Sequence, residues 1–237
     1  MKLKLLVDID NVICGFAELM VEYLNFRYRC AYKFKDYIVW DFVYNDEVKL
    51  TKDQFYQAFD EFVEIGFWDS IDIYKDVPKV LQKLFKLHDI IYLSSRPESA
   101  KRKTIQYFEK HKIPFNGCTI LREPDQHIKW GHIVLCPGLN KGTIAKHIEA
   151  DLAIEDQPRT IQDYINEGIN VVQRLQPYNE DSRFEDPHGL VSTCRSFKGF
   201  AKIVHQLAKR LQLPFVRDEE GNLKRSSKAK KKGKKHG

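Results

Sequence analysis

Two aspartates spaced two apart, Asp8 and Asp10, end the apolar run Leu5-Leu6-Val7 near the start of the chain. Three further polar clusters follow. Ser94, Ser95 and Arg96 come after "DIIYL", Lys141 opens "KGTIAKHIEA", and Glu155-Asp156 close "DLAI". Several carboxylates gathered in one crevice repel one another and raise their own pKa values. A divalent cation relieves that repulsion, and a few hard oxygen ligands with room left for water and phosphate suit Mg2+. Phosphoryl transfer needs an in-line nucleophile, charge neutralisation and a proton for the leaving group. Asp8 can attack phosphorus. Asp10 can protonate the leaving oxygen and then activate water. Lys141 adds positive charge, and Ser94 adds a hydroxyl donor for a phosphate oxygen. Each fragment alone is weak: a DxD is more often a turn, "SSRP" a loop, and a lone Lys before a helix a solvated charge. Their joint placement carries the weight.

That placement comes from the elements around them. Residues 3–8 read as a buried strand, and "FAELMVEYLNFRYR" (16–29) has the three- and four-residue apolar spacing of a helix. Residues 30–72 are less regular and rich in aromatics, which suits small helices forming an insertion. From residue 76 the pattern alternates. Helices are expected at 76–87, with Asp76 as N-cap and Pro78 in the first turn, and at 98–112, 141–150, 159–168 and 196–211. Strands are expected at 89–95, 117–121, 132–136, 151–156 and 169–174. Such alternation argues an α/β fold, with a parallel sheet covered by helices on both faces. Ligands of such sheets lie beyond the carboxyl ends of the strands. Asp8 and Asp10, Ser94 and Ser95, and Glu155 and Asp156 all fall at such ends, with Lys141 opening the helix before the last of them.

Composition narrows the class. The chain has 237 residues, 43% of them hydrophobic, which suits one sizeable domain with an insertion. No run of about 18 apolar residues exists, so no membrane span is expected. The first apolar run is broken at once by acids and does not read as a signal peptide. The five cysteines are scattered without C-x-x-C spacing, and read as free thiols in a reducing, cytoplasmic setting. The net charge of +6 resides in the last sixteen residues, which hold eight Lys/Arg and no acid; the body is close to neutral. The tail over 215–237 is expected to be disordered. It could contact nucleic acid or another polyanion, or simply solubilise the chain.

The four segments carry a resemblance. "LLVDIDNVI", "IIYLSSRP", Lys141 in "NKGTIA" and "DLAIEDQP" resemble motifs I to IV of the haloacid dehalogenase-like (HAD) phosphohydrolase superfamily. The resemblance covers roughly residues 1–175. Within that superfamily the chain looks most like the 5'-nucleotidase, deoxy (pyrimidine), cytosolic type C family, from "SSRP" leading into a helix, the "KG" helix, the acid pair before Gln-Pro, and the aromatic insertion. The resemblance implies a Rossmann-like core at 1–15 and 73–214 and a helical cap at 16–72. It implies Asp8 as covalent nucleophile and Asp10 as acid/base. Mg2+ would be held by Asp8, the backbone carbonyl of Asp10 and a motif IV acid. Phosphate would meet Ser94, Ser95, Lys141 and Arg96. Glu155 stands where Asp is usual, so Glu155 and Asp156 both remain candidate ligands. Asn11 stands where Gly is frequent, and Asn accepts unusual backbone angles.

The insertion sits where this superfamily places its substrate-selecting cap. Phe16, Trp40, Phe42 and Trp68 offer flat faces for a nucleobase, each stack contributing about 1–3 kcal/mol; the same rings also suit the cap's own core. Arg96 could grip phosphate or cap the neighbouring helix. The expected function is Mg2+-dependent hydrolysis of (deoxy)nucleoside monophosphates through an aspartyl-phosphate. The alternatives are a phosphatase on nucleic-acid ends, with the basic tail holding the strand, and a nucleotide-binding module without turnover.

Overall fold

The structure, a computed structural model, describes residues 2–36, 50–66, 70–212, 215–217 and 223–225. Seven strands build its main sheet: β1 (Lys4–Val7), β2 (Asp89–Ser94), β3 (Gly117–Ile120), β4 (His132–Leu135), β5 (Leu152–Glu155), β6 (Asn170–Arg174) and β7 (Val191–Cys194). The order is β3-β4-β2-β1-β5-β6-β7, and every pairing is parallel. From β1 the chain fills one side, with β4 returning between β2 and the edge strand β3, and then crosses after β4 to start the other side at β5. Asp8 and Glu155 therefore end neighbouring strands at the point where the winding reverses, where open α/β sheets form a crevice.

Helices α3 (Val77–Leu87), α4 (Lys101–Lys110) and α7 (Phe197–Gln212) share an apolar cluster with one face of the sheet, including Leu5, Val7 and Tyr92. Helices α5 (Lys141–His147) and α6 (Pro158–Asn166) cover the other, where Leu6, Leu93 and Ala153 point. Burial on both faces explains the unbroken apolar strands. Each fully buried Leu or Ile contributes about 1.5–3 kcal/mol. The insertion supplies α1 (Phe16–Tyr28) and α2 (Lys52–Ile65), joined to the first cluster through Met20, Leu24 and Phe62. Helix α2 starts on a reciprocal capping box between Thr51 and Gln54. The two ends of the insertion are tied together: Gly15 N–H donates to Asp72 O (3.0 Å), and Tyr74 N–H to Ile13 O (3.1 Å).

Several expectations differ in detail. Asp76 does not cap α3 through its side chain; its Oδ2 instead accepts from the Lys198 N–H in the first turn of α7 (2.9 Å), so it joins two helices. The segment 98–112 opens as a 3-10 turn at Glu98–Ala100 before α4 begins. Helix α5 stops at His147, and Glu149 turns the chain with φ 54°. Strand β7 had no counterpart in the sequence reading. Residues 215–217 and 223–225 pair as an antiparallel ladder, β8 (Phe215–Arg217) with β9 (Leu223–Arg225), inside the segment expected to be disordered. The remainder of the basic tail lies outside the described residues. No described helix is long and apolar enough to cross a membrane.

Candidate active site

The chain bends sharply after β1. Ile13 and Cys14 N–H both donate to Ile9 O, closing a single turn, and Asn11 sits at φ 57°. That left-handed position is one Asn tolerates better than most residues. The turn sets Asp8 and Asp10 in different surroundings. The Asn11 side chain then fixes the turn at both ends. Its Oδ1 accepts from the Ala17 N–H at the start of α1 (2.7 Å), and its Nδ2 donates to Asp156 Oδ2 (3.3 Å).

Asp8, Lys141, Glu155 and Asp156 are all buried. The Lys141 ammonium donates to Asp8 Oδ1 and to Glu155 Oε2 (2.9 Å). Burial alone would depress the Lys141 pKa, but the carboxylates of Asp8 and Glu155 outweigh it and push it well up. Burial, then the charge of Glu155, push the Asp8 carboxyl up to about 8. Asp156 is pushed well up by burial, then by Glu155 and Asp8. Three buried acids beside one ammonium can all ionise only when a further positive charge joins them, and without it they hold on to protons.

That imbalance is a test of fit for a cation, and the donor set passes it. One carboxylate oxygen from each of Asp8, Glu155 and Asp156 lies within 4.8 Å of the others. The two motif IV acids are not equivalent. Both oxygens of Glu155 are engaged, Oε2 with Lys141 and Oε1 with the backbone N–H groups of Asp156 and Gln157. Asp156 holds Tyr178 Oη–H and Asn11 on Oδ2, and its Oδ1 accepts no hydrogen bond among the described residues. Asp156 is thus the acid with a free ligand atom, and Glu155 orients Lys141.

Arg96, at the cleft, is paired with the second acid. Its guanidinium is buried and spans the carboxylate of Asp10, Nε to Oδ2 at 2.9 Å and Nη2 to Oδ1 at 2.7 Å; Nη1 donates to Thr104 Oγ1 at 3.0 Å. Burial opposes its charge, and Asp10 outweighs that effect, raising the Arg96 pKa. Arg96 is therefore committed to Asp10. Ser94 is buried and its Oγ accepts from the Arg96 N–H (3.2 Å), whereas Ser95 is exposed at the cleft. Burial also pushes up the Cys14 thiol, 3.8 Å from both Asp10 Oδ1 and Arg96 Nη2.

The acids, Lys141, Arg96 and the two serines line one cleft of about 700 Å3. Its floor brings together Asp8, Asp10, Ser94, Arg96, Lys141 and Asp156, as the carboxyl-end rule predicts. Its roof is Phe16 of α1 with Phe59, Asp60, Val63 and Glu64 of α2. Phe16 also packs edge-on against Phe59 and Phe62, so it serves the cap core and the cleft wall together. Trp40, Phe42 and Trp68 lie outside the described residues. Sequence reasoning missed Thr104, Tyr178, Asn179 and the α2 stripe. Asn179 ties Asp156 O to Arg174 O through its side-chain amide. "LQPYN" directly follows β6, so the carboxyl-end rule, carried one strand further, would have found Tyr178 and Asn179.

No family model matches the chain, and no curated protein matches it. Solved structures do. A haloacid dehalogenase-like family hydrolase from Streptococcus pneumoniae superposes with TM-score 0.55 at 10% identity, over 85% of this chain and 98% of that one. A predicted phosphoglycolate phosphatase from Haemophilus somnus gives TM-score 0.54 at 13% identity, over 86% and 97%. At such identities the likeness establishes the fold: the chain has the haloacid dehalogenase-like α/β fold, with its parallel sheet. Neither likeness singles out the nucleotidase family.

Proposed function

We propose that the protein is a Mg2+-dependent phosphomonoester hydrolase acting through an aspartyl-phosphate, with (deoxy)nucleoside 5'-monophosphates as substrates. The observation that carries the reading is the division of labour between the two acids after β1. Asp8 lies on Lys141 within the buried acid cluster, while Asp10, two residues on, is held apart by Arg96. Nucleophile and proton carrier need such separate surroundings. The phosphohydrolase step also accords with the fold and with the four motifs quoted above; the nucleotide substrate rests on the sequence resemblance and on the aromatic roof.

In the first half-reaction an Asp8 carboxylate oxygen bonds to phosphorus. The ester P–O bond breaks, and the leaving oxygen takes the proton from Asp10, which enters this step as the carboxylic acid with one oxygen turned from Arg96 toward the leaving group. In the second, Asp10 takes a proton from water, the hydroxyl attacks the aspartyl-phosphate, and inorganic phosphate leaves with Asp8 regenerated. Lys141 holds Asp8 Oδ1 and adds positive charge beside the phosphoryl oxygens. Ser94 and Ser95 offer hydroxyl donors at the end of β2. A divalent cation held by Asp8, Asp156 and the Asp10 carbonyl would supply the remaining charge neutralisation for those oxygens. The roof of α1 and α2 faces the leaving group and limits water around it.

The test is phosphate release from a panel of phosphomonoesters with Mg2+, beside an Asp8→Asn variant. Wild-type turnover lost by at least about 10³-fold in Asp8→Asn, with an unchanged circular-dichroism spectrum, is the expected outcome. A variant that keeps full activity would sink the mechanism.

A further inference from the structure

The cleft's charges are distributed unevenly between floor and roof. Two cations line it among the described residues, and both are committed: Arg96 to Asp10 and Thr104, Lys141 to Asp8 and Glu155. The roof contributes no described cation. Helix α2 turns Phe59, Asp60, Val63 and Glu64 toward the cleft, an apolar pair flanked by an acidic pair at i, i+4 spacing. Neither Asp60 nor Glu64 accepts a hydrogen bond from a described residue, so their charge is spent on no partner among the described residues. A phosphoryl dianion at the floor would be compensated by Lys141 and a divalent cation. A second anion carried by the leaving group would meet two carboxylates under the roof and no uncommitted cation among the described residues.

We infer that the cleft selects phosphomonoesters whose leaving group bears no anionic group: an uncharged or amine-bearing body with an apolar face for Phe16, Phe59 and Val63. This rests on the phosphohydrolase reading above and narrows it. Asp60 and Glu64 are the specificity-determining pair. They repel a leaving-group phosphate or carboxylate, and they accept hydrogen bonds from leaving-group hydroxyls or exocyclic amines. A nucleoside 5'-monophosphate satisfies the rule. A nucleoside 3',5'-bisphosphate, phosphoglycolate and a phosphorylated oligonucleotide end all violate it, because each leaves as an anion.

The experiment compares kcat/KM for a nucleoside 5'-monophosphate and for the 3',5'-bisphosphate of the same nucleoside, and for phosphoethanolamine and phosphoglycolate as a small matched pair. Hydrolysis of p-nitrophenyl phosphate serves as the common measure of turnover. Each exposed carboxylate is expected to lower kcat/KM for the anionic member about three- to tenfold at low salt. The discrimination should shrink as ionic strength rises. In the Asp60→Asn/Glu64→Gln double variant the ratio within each pair should move toward unity by about tenfold or more. Asp53→Asn, on α2 but outside the cleft, should leave the ratio where it was. Equal wild-type turnover of both members, an unmoved ratio in the double variant, or preference for an oligonucleotide end would each overturn the inference while the hydrolase reading stands. Absence of p-nitrophenyl phosphate hydrolysis by the wild type would overturn that reading, and this inference with it.

Discussion

Replacing Arg96 by Met tests the separation of the two acids most directly. Met fills much of the same volume but removes the two charge-assisted bonds to Asp10 and the bond to Thr104. Breaking a buried ion pair by deleting one partner typically costs about 3–5 kcal/mol. The Asp10 side chain retains 20% exposure against 2% for Arg96, so water compensates part of the loss. A destabilisation of about 2–3 kcal/mol follows, read as the shift in the urea unfolding midpoint. Asp10→Asn leaves the buried guanidinium without its carboxylate and should cost a similar amount. The double variant should lose less than the sum, with a coupling energy of about 1.5–3 kcal/mol. In catalysis the Asp10 carboxyl loses its fixed orientation, so kcat should fall about 10²-fold or more. KM should stay within about threefold, because the guanidinium is committed to Asp10 and does not hold the phosphate. Arg96→Lys should recover part of the stability but less of kcat, since an ammonium cannot span both carboxylate oxygens. A coupling energy near zero, or a KM raised about tenfold with kcat retained, would refute the reasoning and return Arg96 to phosphate binding.

Three further outcomes follow from the same geometry. The Asp8 carboxyl is pushed from its ordinary 3.8 up to about 8, so between those values the folded metal-free protein keeps a proton that the unfolded chain has lost. Stability should therefore fall as pH rises toward about 8 in chelator, and saturating Mg2+ should flatten that slope in urea midpoints at about pH 5 and about pH 8; a flat metal-free profile would contradict the burial of Asp8. Tyr178→Phe removes the hydroxyl donor on Asp156 and should weaken divalent-cation binding about tenfold in a direct titration, with little change in fold. Gly142→Ala puts a Cβ 2.4 Å from the Asp163 backbone oxygen of α6, which forces α5 to move. It should cost about 1–3 kcal/mol and lower activity by displacing Lys141, both measured on one preparation.

What was legible in the sequence depends on whether a property is local to the chain. Strand ends are local, so Asp8, Asp10, Ser94, Lys141, Glu155 and Asp156 could be placed at one crevice from alternation and the carboxyl-end rule alone. The same applies to the helices Val77–Leu87 and Pro158–Asn166, expected at 76–87 and 159–168 from their apolar spacing, with Pro78 marking the start of the first. Strand β7 escaped because "VSTC" at the sheet edge exposes Ser192 and Thr193, leaving no apolar run. Pairing is not local. Arg96 and Asp10 are 86 residues apart, and nothing along the chain states that the guanidinium faces the second acid instead of a phosphate. The glycine beside Lys141 had the same status. In sequence it was a cue of resemblance, and in three dimensions it becomes the close approach of α5 to α6. The roof of the cleft follows the same logic. Asp60 and Glu64 look like an ordinary solvated face of an amphipathic helix until α2 is folded over the crevice. Only there do two unremarkable charges gain a bearing on which phosphate esters the floor can accept.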